Sequence, residues 1–296
     1  MTRQTIEDGR GMSGDLEFLK DWIGKTETAE ERASVFRMHG LAALLDKPDI
    51  PVEGDPVGPM GHWCYFTPRV PASELGPDGH PARGGFMPPV PLPRRMFGGF
   101  RATHHQSLII GEVMQREARI TDVQIKEGGT GTLVICTVRN SISGENGLAI
   151  EEDHDYIYRG NPPSSANANT GGSKAASAPP KFAWSKIVTP DPVMLFRYSA
   201  ITFNGHRIHY DRDYVTKVEG YPALIVHGPL IATLLLELAL DNNPDRVVQK
   251  FDFQARAPLF DNAPFIVAGE PTADGCSLWS TTPAGTYSAR ATVVFA

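Results

Sequence analysis

His227-Gly-Pro-Leu-Ile-Ala-Thr-Leu-Leu-Leu-Glu-Leu-Ala-Leu240 is the stretch on which the reading of the fold turns. Pro229 fits a first helical turn, where its missing N–H costs nothing. Asp241-Asn-Asn-Pro244 ends the run. The expected helix therefore opens at His227-Gly-Pro and continues to about Ala239. Almost every face of it is apolar, so neighbouring structure must wrap it on several sides. Downstream the pattern becomes strand-like, over Val247 to Ala257, Pro264 to Pro271, Ser277 to Thr282 and Tyr287 to Phe295. Asp-Asn-Ala-Pro, Ala-Asp-Gly-Cys and Pro-Ala-Gly-Thr turns divide these segments.

A buried helix followed by antiparallel strands predicts a curved sheet rolled around one long helix, the hot-dog arrangement. Working backwards, residues 161–180 (Asn-Pro-Pro-Ser-Ser-Ala-Asn-Ala-Asn-Thr-Gly-Gly-Ser-Lys-Ala-Ala-Ser-Ala-Pro-Pro) hold no large apolar side chain. Such a segment cannot offset its ordering entropy by burial, and it reads as a flexible linker. The first half repeats the plan loosely. Thr28 and Glu31 have the spacing of a capping box, and Val35, Met38, Leu41, Ala42 and Leu45 mark one helical face. A Pro/Gly-rich stretch through residues 84–99 follows. Strands are then expected near Leu108 to Ile125, Thr132 to Ile142 and Leu148 to Tyr158, with a tight turn at residues 127–131. The fold class is α+β: a double hot-dog, two antiparallel sheets each wrapped around a long helix. Residues 1–160 form one hot-dog domain and 181–296 the other.

The 296 residues are 41% hydrophobic and 21% charged, which allows a sizeable core without staples. A net charge of −6 encodes no general attraction to nucleic acid or an anionic membrane. Cys64, Cys136 and Cys276 are odd in number and widely spaced, which argues for reduced, buried thiols rather than a disulfide framework. The N-terminus lacks the apolar core of a signal peptide. The apolar run around Leu230 to Leu240 is too short to span a bilayer. A cytoplasmic protein is expected. G-x-G-x-x-G after a strand, a P-loop, G-x-S-x-G and S-x-x-K are all missing.

Polar side chains concentrate in Asn204-Gly-His206-Arg207-Ile-His209-Tyr-Asp211. Three readings stay open at this level: a capped turn with solvated imidazoles, a metal site, or acid–base catalysis. The metal reading lacks the Glu of H-E-x-x-H, and beyond His206, His209 and Asp211 only His227 offers a further ligand. No metal is expected.

Arg197-Tyr-Ser-Ala-Ile-Thr-Phe-Asn-Gly-His-Arg-Ile-His-Tyr-Asp211 resembles the hydratase motif of the MaoC-like and R-specific enoyl-CoA hydratases. In that motif an Asp and a His five residues apart flank an Asn-Pro step. His209 falls on the family histidine and Asn204 on the family aspartate, while His206-Arg207 replaces Asn-Pro. These departures are similar to a subgroup holding the hydroxyacyl-thioester dehydratases and the mesaconyl-C4-CoA (3-methylfumaryl-CoA) and itaconyl-CoA hydratases. Pro88-Pro-Val-Pro-Leu-Pro-Arg-Arg-Met-Phe97 resembles the same group.

The resemblance implies a hydro-lyase that adds water reversibly to an α,β-unsaturated acyl-CoA, giving citramalyl-CoA from a C5 substrate. It needs no cofactor. Dehydration of 3-hydroxyacyl thioesters in fatty-acid synthesis and non-catalytic thioester binding are the alternatives. His209 is the expected proton-transfer residue, since an imidazole with a pKa near 6.5 can take and return a proton at neutral pH. Asn204 can orient water but cannot be a base. Asp211 is a conceivable second base. Gly228, opening the apolar helix, is the expected oxyanion donor through its backbone N–H. Arg207, Arg197, Tyr198 and Arg95 are the expected substrate-binding residues, with arginine forks suited to phosphate or carboxylate. The expected partner is the acyl-CoA substrate alone, with no nucleic acid and no membrane. A homo-oligomer of double hot-dog subunits is compatible with this plan.

Overall fold

The computed structural model describes residues 13–128, 131–160 and 182–296. The first half contributes strands β1 (Thr26–Arg32), β2 (Arg94–His104), β3 (Val113–Gly128), β4 (Gly131–Gly144) and β5 (Gly147–Arg159). The second contributes β6 (Trp184–Val188), β7 (Val248–Ala255), β8 (Phe265–Pro271), β9 (Gly275–Thr281) and β10 (Tyr287–Phe295). All ten lie in one antiparallel sheet ordered β1-β3-β4-β5-β2-β7-β10-β9-β8-β6. Each half thus forms a contiguous block, and β2 meets β7 at the seam. The helices are α1 (Val35–Leu44), α2 (Pro192–Ile201) and α3 (Gly228–Asp241). This is the α+β double hot-dog that the apolar pattern predicts.

Helix α3 runs along the second-half block against β6, β8, β9 and β10. Leu230, Ala232, Leu235, Leu236 and Ala239 are buried there among Phe251, Phe265 and Leu278. Burying each leucine is worth about 2 kcal/mol, so this helix is held by packing rather than by propensity. The first-half block is covered differently. A 3₁₀ helix, Ser13–Trp22, lies over β3. The shorter α1 packs against α2. A Cβ on Gly40 would lie 2.8 Å from Ile201, and Arg37 donates to the Ile201 carbonyl at 2.7 Å.

Gly99 makes the seam. It has φ +148, and a Cβ there would come within 2.2 Å of the Phe253 carbonyl oxygen. Only glycine lets β2 and β7 approach closely enough to pair. Beside it, Phe100 stacks on Phe253 at 6.0 Å and meets Phe251 edge-on at 5.2 Å.

Two local expectations change. Thr28 and Glu31 do not cap a helix; both lie in β1, paired with β3. Ser34 precedes α1 instead, and the Glu31 carboxylate accepts from the Phe66 N–H at 2.8 Å. Arg94 to Gly99 leave the Pro/Gly-rich stretch and begin β2, because pairing with β5 and β7 supplies what local propensity lacks. Short β6 pairs with β8. The segment 161–180 lies outside the described residues, as do positions 129 and 130 of the turn before β4. Cys64, Cys136 and Cys276 are buried and unbridged. Among the described residues no helix is long and apolar enough to cross a membrane.

Candidate active site

His209 ends a 3₁₀ turn, Arg207–His209, that follows α2. Its Nδ1 lies 2.7 Å from the Ile225 carbonyl oxygen. A carbonyl can only accept, so Nδ1 carries the proton and Nε2 presents a lone pair. The ring stacks on His227 with centroids 3.6 Å apart and planes at 17°. Burial pushes the His209 pKa down to about 3, with His206 adding to the shift and the Ile225 hydrogen bond opposing it. His209 is therefore a neutral imidazole with one nitrogen fixed and the other available.

His227 precedes α3 and is fully buried; its Nε2 shares a 2.9 Å hydrogen bond with the Ser199 hydroxyl of α2. Burial holds it well below the usual histidine range. Tyr198, also buried, backs this ring at 4.9 Å. Next comes Gly228, the first residue of α3, whose N–H has no intrahelical acceptor. A Cβ there would lie 3.2 Å from Phe97 of β2. The first half thus roofs the helix terminus with an aromatic wall: Trp63 meets Phe97 at 5.6 Å, and Phe97 meets His154 at 5.7 Å.

Glu152 of β5 anchors that wall. It accepts from Trp63 Nε1 at 2.9 Å and lies 2.9 Å from His62 Nε2 and 3.0 Å from His154 Nε2. Burial alone would raise its pKa, but the adjoining His154 and His62 outweigh burial and hold the carboxyl well below its ordinary range.

A loop of the first half reaches the motif. Asp78 accepts from the Arg207 N–H at 2.9 Å, and Gly79 (φ +87) sits so close to the Gly205 carbonyl that a Cβ would clash at 2.0 Å. This contact sets His80 against His206, with centroids 4.3 Å apart. Burial lowers the His206 pKa to about 3, and the nearby Arg95 guanidinium adds to the effect. Arg95 lies over the Tyr156 ring at 4.9 Å, and no described carboxylate pairs with it.

The expected site residues separate into two groups. His209, Tyr198, Gly228 and Arg95 converge with His206, His80 and His227. Arg207 and Arg197 point elsewhere: Arg207 is engaged by Asp211, the Pro77 carbonyl and the Tyr214 ring, and Arg197 is exposed on α2. Asp211, besides pairing with Arg207, accepts from the Tyr214 N–H at 2.9 Å, and these contacts hold its pKa below the usual carboxylate value. Asn204 uses Oδ1 to accept from the His206 N–H at 3.0 Å. The motif reading passed over His80, which only the Gly79–Gly205 approach brings in. It also passed over the Trp63–Glu152 wall, because Glu152 and His154 lie in the charged run Glu-Glu-Asp-His-Asp of β5, which reads as a solvated face.

Residues 60–261 match the family described as hydroxyacyl-thioester dehydratase type 2. The chain belongs to that family. It is 44% identical over 274 residues to the mesaconyl-C(4)-CoA hydratase of Chloroflexus aurantiacus, covering 92% of this chain and 96% of that protein. It is 28% identical over 246 residues to the mitochondrial hydroxyacyl-thioester dehydratase type 2 of Schizosaccharomyces pombe, covering 75% and 79%. A Mycobacterium tuberculosis protein with a double hotdog fold superposes with a TM-score of 0.52 at 12% identity, covering 93% of this chain and 96% of that one. The hydroxyacyl-thioester dehydratase type 2 match spans both the aromatic wall and the histidine motif, and it makes this chain a hydro-lyase of the hydratase/dehydratase type.

Proposed function

We propose that the protein adds water to 3-methylfumaryl-CoA (mesaconyl-C4-CoA), a C5 dicarboxylyl thioester, to give citramalyl-CoA. The observation that carries this reading is the neutral His209 Nε2 lone pair, with Nδ1 fixed on Ile225, beside the N-terminus of α3, whose first N–H has no intrahelical acceptor. The thioester oxygen would lie on the Gly228 N–H, where the helix dipole and an unpaired donor favour the negative charge of an enolate. His209 takes a proton from water as the oxygen attacks C3, and it returns that proton to C2. Tyr198 supports the ring stack from behind. Arg95 supplies the free cation for the substrate's own carboxylate, since a partly buried guanidinium without a carboxylate partner favours an anionic ligand. Arg207 and Arg197, lying away from this cleft, are left for the CoA portion. The 44% identical relative supports the choice of acyl group.

Itaconyl-CoA gives the same product, but its double bond is not conjugated to the thioester, and an enolate on Gly228 would not assist it. It therefore ranks below 3-methylfumaryl-CoA.

Loss of enoyl-thioester absorbance tests the reading. The wild type should consume 3-methylfumaryl-CoA in preference to crotonyl-CoA, and His209→Ala should lower kcat by at least about a hundredfold. Because burial places the His209 pKa at about 3, its base form persists throughout pH 5 to 8, and kcat/KM should show no break near 6.5. Preference for crotonyl-CoA would move the assignment to fatty-acyl dehydration, and a fully active His209→Ala would remove the mechanism.

A further inference from the structure

The motif that this stretch resembles has an Asp five residues before its His, and here that position is Asn204. Its Oδ1 already accepts from the His206 N–H at 3.0 Å, and its Nδ2 can only donate. A neighbour must accept the second O–H of the water. Two imidazoles adjoin His209. His227 is sealed, being fully buried with Nε2 committed to Ser199. His206 stands edge-on to His209, with centroids 5.5 Å apart and planes at 90°. No hydrogen bond joins these two rings. The ring nitrogens of His206 have no hydrogen-bond partner among the described residues, and neither is a sealed buried atom.

We infer that His206 is a second catalytic residue, accepting one O–H of the attacking water while His209 accepts the other. This rests on the hydratase reading above. A water with hydrogen bonds of about 2.8 Å to each acceptor suits the gap between two rings set at right angles. One of its lone pairs then points at C3. As the O–C3 bond forms, the π pair of C2=C3 moves into the thioester enolate and one water proton passes to His209 Nε2. His209 then protonates C2 as the enolate collapses, so one H and one OH are added and both imidazoles end neutral. His206 keeps its hydrogen bond to the oxygen throughout and changes no charge. Burial and the neighbouring Arg95 favour this neutral acceptor form. The His80 ring and the Asn204 turn hold it in place.

The test compares His206→Ala, His206→Gln, His209→Ala and the double variant on 3-methylfumaryl-CoA. Binding of the saturated analogue methylsuccinyl-CoA is measured in parallel. His206→Ala should lower kcat about a hundredfold, with KM and analogue Kd within about threefold of wild type. His206→Gln should recover about tenfold, because an amide oxygen also accepts an O–H. Adding His206→Ala to His209→Ala should cost less than about threefold more, since both act on one water. A His206→Ala enzyme with near-normal kcat overturns the inference and leaves the hydratase reading standing. So does a loss that Gln fails to relieve and that weakens analogue binding equally, which would mark a structural role. A wild type that hydrates no conjugated thioester removes both.

Discussion

Across the seam between β2 and β7 the inner face of the sheet changes character. On the second-half side Phe251, Phe253, Leu278 and Val293 meet the apolar helix α3, and the space is filled. On the first-half side the facing strands carry Arg95, Asn140, Glu152, His154 and Tyr156, with no helix of comparable length over them. The two blocks of the one sheet thus differ in what they carry. The second half buries α3 in one apolar cluster and presents the helix terminus. The first half keeps apolar clusters of its own, around Met114 and Ile150 and around Ile120 and Tyr158, and on its strands carries the polar groups Arg95 and Glu152.

The division predicts that equal truncations will act differently on each side. Leu235→Ala, in the packed half, should cost about 2–5 kcal/mol of folding stability, read by chemical denaturation, with kcat little changed below the melting transition. A loss under about 1 kcal/mol would show that the core lies elsewhere. Arg95→Met, on the polar wall, should leave stability nearly intact but raise KM for 3-methylfumaryl-CoA about tenfold, or about 1.4 kcal/mol. Crotonyl-CoA, lacking the carboxylate, should be almost unaffected, and equal effects on both substrates would remove Arg95 from carboxylate recognition. Asn204→Ala should be the mildest, lowering kcat less than about tenfold by loosening the His206 turn. A loss equal to that of His209→Ala would put the Asn204 amide on the reacting water.

Where burial has a simple period, the sequence was readable. Helix α3, strands β3 to β5 and strands β7 to β10 fall close to their expected places because their alternation of apolar side chains is local. Strand β1, Thr-Glu-Thr-Ala-Glu-Glu-Arg, reads as a charged helix start, since its strand character comes only from pairing with β3. Strand β2 hides behind prolines for the same reason. His209 could be singled out as a candidate from its motif spacing. The meeting of His206 with His80 was not legible, because it depends on Gly79 packing against Gly205 across the chain. That Asp211 pairs with the Arg207 guanidinium is likewise visible only in three dimensions.

The continuous sheet has a further consequence, for self-association through strand edges. Two separate five-stranded blocks would expose four edges, whereas joining them through β2 and β7 leaves β1 and β6. Strand β1 carries Glu27, Glu30, Glu31 and Arg32 along its seven residues, and β6 is only five residues long with Lys186 at its middle. Charged or short edges resist the docking of a foreign strand. The strand that carries Arg95 and Phe97, β2, is paired on both sides and is closed to such addition.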